Sequence, residues 1–141
     1  MAITQAIANA FKKQLLEGDQ NFSNSGGDVF KLALYTSSAT LNSATTAYTA
    51  TNEVANSGTY AAGGGTLTGQ NTSIASGVAI VDFADLSFTG VTLTARGALI
   101  YNTSSAVTDA AVAVLDFGAD KTATSGTFTV QFQHLLQRQL Y

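Results

Sequence analysis

Near the N-terminus, Ile3, Ile7, Phe11 and Leu15 recur at every fourth position, with Ala6 and Ala10 beside them and Lys12, Lys13 and Glu17 elsewhere on the wheel. That spacing predicts an amphipathic helix over residues 3–17. Gly18 follows directly and is suited to the left-handed turn that ends a helix. Such a helix either packs on the domain's own sheet or acts as an arm that docks on a neighbouring subunit.

After a polar turn, Asp19 to Asp28, the pattern changes to alternation, and Phe30, Leu32 and Leu34 fall on one face of a core strand. Apolar runs at Val78–Phe83 and Val112–Phe117 suit strands covered on both faces. Val91, Leu93, Leu99 and Tyr101 predict another strand, with Gly97 marking a bulge or a close backbone approach. Phe128, Val130 and Phe132 alternate with Thr127, Thr129 and Gln131 as a last strand. Turn signals at Ser76-Gly77, Asn102 to Asp109 and Gly118 to Gly126 divide these runs at intervals typical of a sandwich or jelly roll.

Two stretches are less regular. From Ser37 to Gly65 the chain is rich in Ser, Thr, Ala, Asn and Gly, with isolated anchors at Leu41, Tyr48, Val54 and Tyr60. Short strands near residues 46–51 and 66–68 are expected to interrupt it, since long structureless loops are uncommon and tend to be functional. The tail, Gln133 to Tyr141, reads as a final strand or a short helix. The expected fold is therefore mainly β: a single β-sandwich or jelly-roll-like domain with an N-terminal helix at 1–18, a body at 19–141 and a long excursion at 37–65.

Composition sharpens this picture. Of the 141 residues only 11% are charged, and none is Pro, although charged side chains and Pro are the usual guards of exposed strand edges. A β domain built this way is expected to have its edges covered by its own oligomer or by a partner. The net charge is −3, and the six basic residues are scattered rather than striped, which disfavours nucleic acid as a partner. Met1-Ala2-Ile3-Thr4 opens no secretory signal pattern, and no run reaches the length that spans a bilayer. Synthesis in the cytoplasm without membrane association is the expectation.

Candidate chemistry is sparse. There is no Cys, and the only His is His134, so neither a His-dependent nucleophile nor a zinc ligand set can be assembled from the usual residues. Asp82 with Asp85, and Asp116 with Asp120, are paired carboxylates of the kind used by glycosidases or calcium sites. The calcium-loop spacing is absent and a glycosidase needs a far larger cleft scaffold, so they read as turn caps or partners for Arg96 and Lys121. Gly63-Gly64-Gly65-Thr66 lacks the Lys-Ser/Thr ending of a phosphate-binding loop. No catalytic residue, cofactor or metal is expected, and the chain is not read as an enzyme.

Several longer segments carry a resemblance: Ala2-Ile3-Thr4-Gln5-Ala6-Ile7, Phe30 to Ser37, Thr46-Ala47-Tyr48-Thr49 and Asn52-Glu53-Val54, then Ala95 to Asn102 and Val114 to Lys121. In this order they resemble a family of small structural proteins of tailed-bacteriophage virions, over roughly residues 2–132. The tail from Gln133 departs from that pattern. The resemblance implies a capsid decoration, or cement, protein. Such a protein is a homotrimer on the outer face of an HK97-type capsid that binds the major capsid protein and clamps neighbouring capsomers. It would be made in the host cytoplasm and end in the virion. The alternative is a phage tail, fibre or adhesin-like component that binds host polysaccharide or another tail protein. Candidate interface residues are Ile3, Ile7, Phe11 and Leu15 on the helix, and Leu41, Tyr48 and Tyr60 in the excursion. Removal of residues 1–17 is expected to abolish particle binding and leave the β body folded.

Overall fold

The computed structural model describes residues 2–132, which form one helix and seven strands in the order β1 (Ala6–Ile7), α1 (Asn9–Glu17), β2 (Phe30–Tyr35), β3 (Gly65–Thr66), β4 (Asn71–Ala75), β5 (Val78–Asp82), β6 (Leu86–Asn102) and β7 (Ala110–Val130). The tail, with His134 and Tyr141, lies outside the described residues. Five strands make an antiparallel sheet in the order β1-β7-β6-β2-β3, and β4 and β5 form a separate hairpin. The architecture is thus a mainly β single domain with one short N-terminal helix.

Strands β6 and β7 carry the design. At 17 and 21 residues they exceed the usual strand length of about 3–10 residues. Bulges bend the pair along this length: its register shifts between Phe88 and Val91, Val91 and Leu93, Ala95 and Gly97, and Ile100 and Tyr101. The Gly118 to Gly126 segment, expected as a turn, is instead absorbed into β7. Gly118 (φ 81°) and Ser125 (φ 44°) supply positive-φ kinks there, while Lys121, Thr122 and Ala123 remain paired with Ala95, Thr94 and Leu93. Gly97 sits at one shift, and a Cβ there would collide with the Leu115 carbonyl and lie 2.9 Å from Ile3 Cγ2. Only Gly allows this approach.

Burial divides the pair in two. Gly97–Asn102 and Ala110–Leu115 are buried without interruption, so this end of the sheet is covered on both faces. From Phe88 to Ala95, Phe88, Val91, Leu93 and Ala95 are buried and Thr89, Thr92 and Thr94 are exposed, so one face meets water. Strand β2 lies against the buried end, with Phe30, Leu32, Leu34 and Tyr35 fully buried. An aromatic row then runs through the core: Phe11 meets Phe22 edge-on, Phe22 stacks on Phe30 at 4.3 Å, and Phe83 meets Phe30 and Phe132 at 5.9 and 5.7 Å.

The N-terminal segment departs from the expected helix over 3–17. The helix covers only Asn9–Glu17 and ends as expected at Gly18 (φ 78°), with backbone bonds back to Gln14 and Leu15. Before it the chain is extended: Ile3 bridges Leu41, while Ala6 and Ile7 pair with Val114 and Ala113. A spacing of four is shared by a helix face and by a strand face of period two, so Ile3 and Ile7 satisfy both patterns. The free edge of β7 decides for strand. Ile3, Ile7 and Phe11 are core side chains, so loss of residues 1–17 would open the core rather than leave the body intact.

Candidate protein-binding surface

The long excursion is held down by a cluster of tyrosines around one carboxylate. Glu53 Oε1 accepts the Tyr48 hydroxyl at 2.5 Å, and Oε2 accepts the Tyr60 hydroxyl at 2.7 Å and the Gly63 amide at 2.8 Å. The Tyr60 hydroxyl in turn accepts the Leu34 amide of β2 at 2.8 Å. Tyr35 donates to the Thr49 carbonyl at 2.6 Å and Tyr101 to the Gly63 carbonyl at 2.6 Å, while Tyr48 stacks on Tyr101. Residues 48–63 are thereby tied to β2 and β6 at several points.

This environment favours neutral phenols. Burial pushes the Tyr35, Tyr48 and Tyr60 hydroxyls well above the ordinary phenol value. The hydrogen bonds that Tyr48 and Tyr60 give to Glu53 add to this. Tyr101 is raised to about 12, first by burial and then by the negative charges of Asp109 and Glu53.

A second polar cluster fixes the last residue of β6, next to Tyr101. Asn102, fully buried, donates to Gln20 and to Asp28, both at 2.7 Å, and accepts the Ser104 and Ser105 amides. Gln20 continues to Gln14 on the helix, and Gln70 reaches the Ser23 and Asp28 carbonyls. Among the described residues no buried side-chain polar atom lacks a partner.

The paired carboxylates serve as caps and links. Asp82 accepts the Phe83 amide, Asp85 accepts the Phe132 amide, and Asp116 accepts the Gly118 amide and the Arg96 Nε. Asp120 is exposed. The candidate interface residues are mostly interior: Ile3, Ile7, Phe11, Leu41 and Tyr60 are buried in the chain's own core, and Leu15 and Tyr48 pack partly buried against it. They brace the domain, with Leu15 and Tyr48 still reaching its surface in part.

Two surface features are shaped for contact. One is an apolar groove of about 600 Å³ between α1 and the β4–β5 hairpin, lined by Phe11, Leu15, Phe22, Ile74, Ile80 and Val81 among others. Ile74 on its rim is 79% exposed, and Leu16 on the helix is 91% exposed. The other is a more polar groove of about 480 Å³ along β7, between Gln5 and Leu115 at one end and Phe128 to Gln131 at the other. Sequence reasoning placed a turn at Ser76-Gly77 and a strand after it, and missed β4 before it. Thr72 and Ile74, alternating with Asn71, Ser73 and Ala75 ahead of that turn, were the available signal.

Compared with known proteins, the chain matches no family model, no curated protein and no solved structure.

Proposed function

We propose that the chain is a structural binding protein of a tailed-phage virion, a decoration protein that sits on an HK97-type capsid and braces neighbouring capsomers. The observation that carries this reading is how the polar side chains are used. Glu53, Asp28, Asp82, Asp85 and Asp116 each hold loop backbone or a neighbouring side chain. Apart from a few charges such as Lys12, Lys13, Asp120 and Lys121, what faces outward is largely hydroxyl, amide and apolar surface, with open strand edges and an apolar groove. Such a surface suits affinity built from backbone hydrogen bonds and apolar anchors repeated over many copies. The choice of particle rests on the resemblance of those sequence segments to small virion proteins.

Cement function has a mechanical readout. Particles assembled without this chain should release their DNA at a lower temperature than particles that carry it, and added purified chain should restore the difference. Equal release temperatures with and without the chain would overturn the reading.

A further inference from the structure

The free strand edges of the described residues differ in how well they are guarded. Strands β1 and β3 are two residues long, too short to template another chain. Strand β7 beyond its contact with β1 is kinked at Gly118 and Ser125 and carries Asp116, Asp120 and Lys121, which are the usual devices against edge pairing. The outer edge of β5 ends in Asp82 and has Ile80 and Val81 buried, whereas strand β4 has none of these guards. Its sequence Asn71-Thr72-Ser73-Ile74-Ala75 is uncharged and free of Pro, its register with β5 is unbroken, and all five residues are exposed.

Local geometry says which groups the edge offers. Ser76 (φ 51°) and Gly77 (φ 77°) make a two-residue turn, so Ala75 and Val78 are the closing pair. In such a hairpin hydrogen-bonded and non-bonded pairs alternate, so the backbones of Asn71, Ser73 and Ala75 face β5. Those of Thr72 and Ile74 face outward, and no protein group among the described residues bonds to them.

We propose that this edge pairs with the same edge of a second copy, antiparallel, across a two-fold axis through Ser73. Thr72 of each copy then exchanges N–H···O bonds with Ile74 of the other, giving roughly four backbone hydrogen bonds in all. The arrangement is isologous and closes on itself, because one patch serves both copies. Electrostatics does not block it: each chain carries net charge −3, but the paired strands hold no charge, so association brings none into direct opposition. Pairing also covers Ile74, whose side chain is otherwise mostly in water, and extends the apolar groove beside it. A three-fold assembly would need β4 to meet a different surface, so this edge specifies a dimer in place of the homotrimer that the resemblance implied. The inference concerns the chain alone and stands apart from the capsid reading.

The test is made in solution without capsids. Sedimentation of the full chain should give twice the 14.5 kDa monomer mass at micromolar concentrations. Ile74→Lys, which opposes charges across the axis, and Thr72→Pro, which removes an outward donor without touching the ladder to β5, should each weaken association at least tenfold with an unchanged circular dichroism spectrum. Val107→Lys, at an exposed position elsewhere, should leave it intact. The chain has no Cys, so Ser73→Cys offers a direct readout. The two Ser73 Cα atoms would be about 4.5 Å apart as a non-bonded pair, within disulfide reach. Mild oxidation should give one cross-linked dimer, whereas Val107→Cys should not cross-link. A monomer at about 100 µM, a trimer, or a Ser73→Cys chain that resists cross-linking would overturn the proposal.

Discussion

Replacing Glu53 with Ala removes the acceptor for three donors at once, and their surroundings set the cost. The Gly63 amide is buried, and a buried donor left unsatisfied costs about 1–3 kcal/mol. The Tyr60 hydroxyl is buried too but has the Leu34 carbonyl within 3.5 Å, a poor alternative that recovers part of the loss, leaving about 1 kcal/mol. Tyr48 is only partly buried and can turn to water. The sum is about 3 kcal/mol, equivalent to a fall of about 10 °C in Tm for a domain of this size. Glu53→Gln keeps an acceptor for Tyr60 and Gly63 and presents an amide that the Tyr48 hydroxyl can accept, so its cost should be about 1 kcal/mol. Urea unfolding followed by far-ultraviolet circular dichroism measures both, with unchanged m-values expected. A loss under about 1 kcal/mol for Glu53→Ala, or equal losses for the two variants, would refute the claim that this carboxylate holds the excursion.

Two further outcomes follow from the same core. The raised tyrosines bind protons more tightly folded than unfolded, so their contribution to stability is complete below the unfolded phenol value near 10 and declines as pH rises above it, that of Tyr101 being lost by about 12; urea midpoints should therefore fall above pH 10, and a flat profile would show the hydroxyls to be freely solvated. Gly97→Ala should destabilise by about 2–3 kcal/mol, because the new methyl meets the Leu115 carbonyl and the Ile3 side chain, whereas a change below about 0.5 kcal/mol would mean that the β6–β7 contact has slack.

Alternation and turn chemistry make much of the sheet legible in the sequence. Phe30, Leu32 and Leu34 form the buried strand expected of them, and Gly97 marks both a bulge and a close approach. Ser76-Gly77 is a tight turn. Three features were hidden for physical reasons. Ile3 and Ile7 fit helix and strand equally, and only the distant β7 edge separates the two. Gly118 and Ser125 look like turn residues because a bulge uses the same positive-φ backbone as a turn. Glu53 and Asn102 belong to no local pattern, since their partners lie at positions as remote as Gly63 and Gln20. For the surface the same limit applied: apolar anchors in an irregular segment resemble contact residues, yet Leu41 and Tyr60 face inward.

The capsid role is tested most directly by copy number. Quantitative gel densitometry of purified particles, with the major capsid protein as the internal standard, counts the chain where it works. One copy per capsid subunit, or a fixed copy number at each capsomer junction, is the result the account predicts. A few tens of copies per particle, the number expected of a tail or fibre component, would contradict it.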